Sequence, residues 1–146
     1  MVAGEGYVIG FDFGLKHLGI AVGQTVTGTA SGLSTLKARN GKPKWSEIDQ
    51  LLVQYRPIAI VVGLPLNMDG SDSHISQRAS TFAQRIARHA HLPTYLADER
   101  LSSWAAKDDD VLTGDIHARS ACLIAETFLN DFSVCLPVKT KLHHPT

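Results

Sequence analysis

The feature that most restricts what this chain can fold into is a carboxylate in the middle of an apolar run. Tyr7 to Gly23 reads YVIGFDFGLKHLGIAVG. Tyr7, Val8, Ile9, Phe11 and Phe13 are β-branched or aromatic, the types that suit a pleated, buried strand. Gly14 to His17 supplies a turn and Ile20 to Val22 begins a second apolar run, so the stretch predicts two strands joined tightly. Asp12 stands in the first strand. A charge there costs several kcal/mol unless it is paired or metal-bound. A fold that keeps Asp12 must bring it a partner.

The chain has 146 residues, the length of one domain with a real core. The reading is a single domain over 1–146, with a core of about 7–132 and a tail over 133–146. No apolar run is long enough to span a bilayer, and Met1 to Gly6 lacks the charged and apolar regions of a signal peptide. Cys122 and Cys135 form neither a disulfide framework nor a metal spacing, which fits a reducing compartment. The expectation is a cytoplasmic protein without a membrane partner. The formal net charge is zero, so any nucleic-acid binding must come from a local basic face.

Taken in order, Gly28 to Lys37 predicts a third strand. Trp45, Ile48, Leu51, Leu52 and Tyr55 recur at helical spacing, and Pro57 ends that helix. Ala59 to Leu64 is a continuous apolar run, as expected of a parallel strand covered on both faces. Pro65 to Ser73 is rich in turn residues. Ile75, Ala79, Phe82, Ala83, Ile86, Ala87 and Ala90 form one helical stripe. Thr94 to Ala97 is a short strand leading into Asp98, Glu99 and Arg100. A short helix over Ser102–Lys107, an acidic loop over Asp108–Gly114 and a long helix over Ile116–Phe132 follow. Three strands in a meander followed by helix–strand units predict a mixed five-stranded sheet, order 3-2-1-4-5, with helices on both faces.

That order brings the first strand to the sheet centre and suggests what balances Asp12. Glu99, just past strand five, is the best second carboxylate. Two carboxylates at strand ends suit Mg²⁺, which takes a few carboxylate oxygens together with water and phosphate. A third acid from the late helix has Asp115 and Asp108 to Asp110 as candidates. Simpler readings stand beside these. Asp12 pairs with Lys16 or Arg100, Glu99 is the exposed partner of Arg100, and Asp115 is a helix N-cap.

The motifs FDFGLKHLGIAVG, VVGLPLNMDGSDS, the adjoining RxxxFAxRI helix and DERLS resemble, in order and spacing, those of the YqgF/RuvX family. These are Holliday-junction-resolvase-like proteins assigned as nucleases of the 5′ end of pre-16S rRNA. The resemblance runs from about Tyr7 to Phe132. It implies a ribonuclease-H-like α/β fold and a metal-dependent phosphodiesterase site. The acids that carry over position by position are Asp12 and Glu99. With the third position open, the candidate catalytic set is Asp12, Glu99 and Asp115, and the candidate ligands of Mg²⁺ (or Mn²⁺) are Asp12, Glu99 and His117. In the late helix the sequence departs from the family, because IHARSACLIAE places His117 where the family carries an aspartate. Lys16, Asn67, Arg78 and Arg100 are the candidates for substrate contact. Arg78 and Arg85 share one helix side and form either a backbone-binding stripe or a wet face.

The expected partner is nucleic acid, pre-rRNA or branched DNA, met by a monomer or a homodimer. Two further readings stay open. One is a non-catalytic nucleic-acid-binding module that has lost its third acid. The other rests on a similarity of Asp12-Phe13-Gly14 to the phosphate loop of actin-like ATPases and sugar kinases, whose nucleotide lies between two domains.

Overall fold

The computed structural model describes residues 4–99 and 115–139. Arg100, the expected helix over Ser102–Lys107, the acidic loop over Asp108–Gly114 and the last seven positions of the tail lie outside the described residues.

The strands are β1 (Tyr7–Asp12), β2 (His17–Gln24), β3 (Thr29–Arg39), β4 (Lys42–Pro43), β5 (Ala59–Leu64), β6 (Thr94–Asp98) and β7 (Cys135–Pro137). The helices are α1 (Trp45–Tyr55), α2 (His74–Ala90) and α3 (Ile116–Asn130). They form one mixed sheet of order β4-β3-β2-β1-β5-β6-β7. The five inner strands, β3-β2-β1-β5-β6, have the expected order. The count of five is corrected to seven, because two very short strands flank them. Lys42–Pro43 pairs antiparallel with β3. Cys135–Pro137 pairs antiparallel with β6, so the tail begins as an edge strand. Neither run is long enough to show a period-two pattern, which is why apolar spacing does not find them.

The pleat divides the sheet into two faces. Ile9 and Phe11 of β1, Leu18 and Ile20 of β2, and Ile60 and Val62 of β5 point one way. They pack with Ile48 of α1 and with Phe82 and Ile86 of α2. Val8, Ala59, Val61 and Ala97 point the other way and pack with Ile124 and Phe128 of α3. Between their ends, Val8 to Phe11 of β1 and Ala59 to Gly63 of β5, the parallel strands are buried on both faces, which accounts for their apolar runs.

Local signals set the ends of the helices. Arg56 adopts φ +46 after α1 and its N–H bonds back to the Leu52 carbonyl, just before Pro57. α2 opens with a capping box: Ser73 accepts from the Ser76 N–H while the Ser76 hydroxyl accepts from the Ser73 N–H. The Ser73 hydroxyl also donates to the Pro65 carbonyl, which ties the β5–α2 loop to the helix start. Among the described residues no helix is long and apolar enough to cross a membrane.

Candidate active site

Asp12 is the last residue of β1 rather than a mid-strand residue, and its side chain lies on the α3 face, with Val8 and on the opposite side from Phe11. Phe11 pairs with Val62, so Asp12 stands beside Gly63 of β5. Gly63 pairs in turn with Ala97 of β6, two residues before Glu99. Adjacent strands lie about 4.8 Å apart, so β1 and β6 are separated by roughly twice that distance. Glu99 bridges it. Its side chain reaches back over β5 and forms a hydrogen bond with Asp12. A Cβ on Gly63 would lie 2.8 Å from Glu99 Oε2 and would also run into Ile124 Cδ1. The carboxylates therefore meet over the one position in β5 where a side chain would separate them.

The electrostatics follow from that placement. Burial pushes the Asp12 carboxyl from its usual 3.8 to about 6, partly offset by the hydrogen bond from Glu99. Glu99 is pushed up from 4.5 to about 8, by burial first, then by the Asp12 charge, its hydrogen bond to Asp12 and the charge of Asp98. Two close carboxylates cannot both ionise cheaply. Near neutral pH the pair shares a proton, with Glu99 donating to Asp12. Glu99 as the partner of Asp12 thus replaces the simpler pairing of Asp12 with Lys16, whose side chain is exposed at the turn after β1.

The other expected site residues are placed differently. Asp115 is the N-cap of α3: its Oδ1 accepts from the Ala118 N–H at 3.0 Å. The Thr35 hydroxyl donates to the same carboxylate at 2.6 Å and holds it below the ordinary aspartate range. Thr35 pairs with Gly19, and Gly19 pairs with Asp12, so Asp115 is held two strands away from Asp12. His117 is nearer. Its backbone carbonyl sits directly over Gly19, so closely that a Cβ there would collide with it. The His117 ring stacks on His17, with centroids 4.7 Å apart. Among the described residues no three His, Cys, Asp or Glu side chains converge closely enough to hold a metal together. The structure thus brings together Asp12 and Glu99, and adds neither Asp115 nor His117 to them.

Asn67 is committed to its own loop. Its amide donates to the Ser71 hydroxyl and the Asp72 carbonyl, and its backbone closes a turn onto Gly70. Arg78 belongs to the opposite face of the sheet, where its Nη2 donates to the Asn40 carbonyl at 2.6 Å. Arg100 lies outside the described residues.

Sequence reasoning missed the glycines beneath α3. Gly19 and Gly63 carry no catalytic group, yet they set how close α3 and Glu99 come to the sheet. A glycine inside an otherwise β-branched strand marks close approach of another chain segment. HLGIAVG and AIVVGL both show that signal.

With this geometry in hand, comparison with known proteins is specific. The RuvX family model, described as a Holliday junction resolvase, matches residues 6–131. A Pseudomonas putida protein named "Putative pre-16S rRNA nuclease" is 49% identical over 107 residues, covering 73% of this chain and 76% of that one. An Azotobacter vinelandii protein of the same name is 43% identical over 136 residues, covering 88% of this chain and 96% of that one. Among solved structures, Thermus thermophilus RuvC in complex with a Holliday junction substrate superposes with a TM-score of 0.59 at 18% identity. It covers 90% of this chain and 99% of that one. At that identity the likeness is one of fold.

Proposed function

The chain belongs to the RuvX family, and from that premise we propose that it is a metal-dependent nuclease that processes the 5′ end of pre-16S rRNA. The observation that carries this reading is the buried Asp12–Glu99 pair at the carboxyl ends of β1 and β6. The names of the relatives from Pseudomonas putida and Azotobacter vinelandii support the substrate.

The donor set fits a hard divalent cation. Both groups supply carboxylate oxygens, both are hard to ionise where they are buried, and the Asp12 charge makes Glu99 harder still, so the pair is stabilised by added positive charge. Asp12 and Glu99 would hold Mg²⁺ or Mn²⁺. When bound, such an ion polarises the scissile phosphodiester and activates water. The protein's own part is positional. β1 and β6 fix the two carboxylates from opposite sides of β5, and Gly63 leaves the gap they share. α3, seated against Gly19, walls the site on one side. Asp115 holds the start of that helix and acts on the site through it. Lys16, exposed on the turn after Asp12, contributes a cation for the phosphate backbone without reading bases. An RNA substrate of this kind places the work in the cytoplasm and requires only one copy of the site, so a monomer suffices.

One observation favours a second reading, a binding module without catalysis: no third ligand joins Asp12 and Glu99 among the described residues. Cleavage assays separate the two. The protein would be incubated with a pre-16S leader RNA and with a four-way DNA junction, in Mg²⁺, in Mn²⁺ and in EDTA, with Asp12→Asn as control. Metal-dependent cutting of the RNA, lost in the variant, is the expected result. Preferential cutting of the junction would replace the RNA assignment with resolution, which needs a dimer. Binding of either substrate without cutting under any metal would sink the nuclease.

A further inference from the structure

On the sheet face opposite Asp12 and Glu99 lies a cavity of about 170 Å³. Its floor is aromatic. Phe13 and Trp45 both pack on Phe82, with ring centroids 5.5 and 6.0 Å away. Its rim is cationic: Lys42, Arg78 and Arg85 line it, and no acidic residue does among those described. The nearby Asp49 is engaged by a hydrogen bond with His89 Nε2 at 2.6 Å.

The three cations are arranged for different work. The Arg85 guanidinium carbon lies 6.0 Å from the centroid of the Trp45 ring, a cation–π placement on an exposed side chain. Lys42 is exposed at the start of β4. Arg78 braces the wall instead, through its hydrogen bond to the Asn40 carbonyl. That bond fixes the Asn40–Gly41 turn, and Gly41, at φ +79, passes so close to Phe13 that a Cβ would lie 2.9 Å from its ring. Arg78 and Gly41 therefore shape the pocket that Lys42 and Arg85 charge.

We propose that this pocket is a second nucleic-acid contact, which takes one nucleotide of a single strand. The base lies against Trp45, the half-buried ring of the three, which the buried Phe13 and Phe82 back from beneath, and the flanking phosphates meet Lys42 and Arg85. Aromatic platforms beside cations are how single strands are held without sequence preference, because every base has a π-face and every linkage a charge. The location gives the contact a purpose. Asp12 and Phe13 are consecutive, one facing the carboxylate pair and the other the pocket floor. A strand that passes round the end of β1 engages both. The inference deepens the nuclease reading by naming a single-stranded segment of the substrate, and it rests on that reading only for its purpose.

The test measures binding apart from cutting. In an Asp12→Asn background, anisotropy of a fluorescein-labelled dodecauridylate would be followed between 50 and 200 mM salt, with and without Lys42→Ala and Arg85→Ala together. Both replaced side chains are exposed, and thermal melts would confirm the fold. Loss of two phosphate contacts makes the log–log salt slope shallower by about 1.4, so the parent loses about sevenfold more affinity across that range than the pocket variant. A 4-thiouridine oligomer should also crosslink to the peptide that carries Trp45. Unchanged affinity and slope in the variant would overturn the proposal, as would displacement of the oligomer by polyglutamate at equal charge concentration. If the wild type cuts RNA while the pocket variant binds and cuts like it, the pocket falls and the nuclease stands. If nothing is cut but the variant loses binding as described, the nuclease falls and the pocket stands.

Discussion

Replacing Asp12 by Asn should stabilise the metal-free protein at alkaline pH while removing cleavage. Burial raises Asp12 from 3.8 to about 6 and Glu99 from 4.5 to about 8, the latter helped by the Asp12 charge. Each pH unit of such a rise is worth about 1.4 kcal/mol, so the coupled pair taken together opposes the ionised fold by a few kcal/mol. Partial exposure of the carboxyls screens this to about 1–3 kcal/mol. The sign follows from linkage. Both groups bind protons more tightly in the folded than in the unfolded chain, so their contribution is fully present below about pH 4. It is lost as pH rises through the folded values, to about pH 8. In a chain of this size 1 kcal/mol moves the melting midpoint by about 3–4 °C, so the wild type in EDTA should lose roughly 4–10 °C between pH 5.5 and pH 9. Asp12→Asn should lose less, because it removes one charge and relieves Glu99 of the part of its rise due to Asp12, while the part due to burial stays. Added Mg²⁺ at pH 8 should raise the wild-type midpoint and leave the variant nearly unmoved. A wild-type midpoint that stays flat or rises over that range, or a variant that falls in parallel with it, would refute the shared-proton account of the site.

Three other substitutions probe how the site is held. Gly19→Ala would push a methyl group into the His117 carbonyl. It should cost about 1–3 kcal/mol as overpacking and lower cleavage by lifting the start of α3, visible as faster amide exchange at that end. Asp115→Ala should cost about 1 kcal/mol as a lost N-cap, Asp115→Asn only part of that, and neither should abolish cleavage; a complete loss in Asp115→Asn would return Asp115 to the catalytic set. The Thr35 hydroxyl holds Asp115 below its ordinary range, so its contribution is present above about pH 4 and fades on acidification, which an acid melt of Asp115→Ala against wild type would read. Ser73→Ala breaks the capping box and the bond to Pro65, and urea titration should show a loss of about 1–2 kcal/mol with the denaturant slope unchanged.

How much of this was legible in the sequence varies by element. β1, β2, β5 and α2 were readable because burial on known faces imposes a period of two, a period of 3.6 or an unbroken apolar run. β4 and β7 were not, since Lys42–Pro43 and Cys135–Pro137 have too few residues to carry a pattern and are strands only because a neighbouring edge was open. The candidate carboxylates Asp12 and Glu99 stood out as acids bordering apolar strands. Asp115 and His117 did not sort themselves, because one residue of helix phase and the position of Thr35 decide which way each side chain is held. The pocket under Arg85 was legible only as an unexplained arginine on a helix side. Its aromatic floor comes from three separate elements.

The sequence by itself determined the family, the inner strand order, and the need for a partner to Asp12, since a carboxylate among β-branched and aromatic residues is costly in any fold. Tertiary structure alone decided that the partner meets it across Gly63, that Asp115 is spent on capping α3, and that Trp45 and Arg85 face the same cavity. Those outcomes depend on strand register and on side-chain reach between residues far apart in the chain. Local propensity and periodicity carry no information about either.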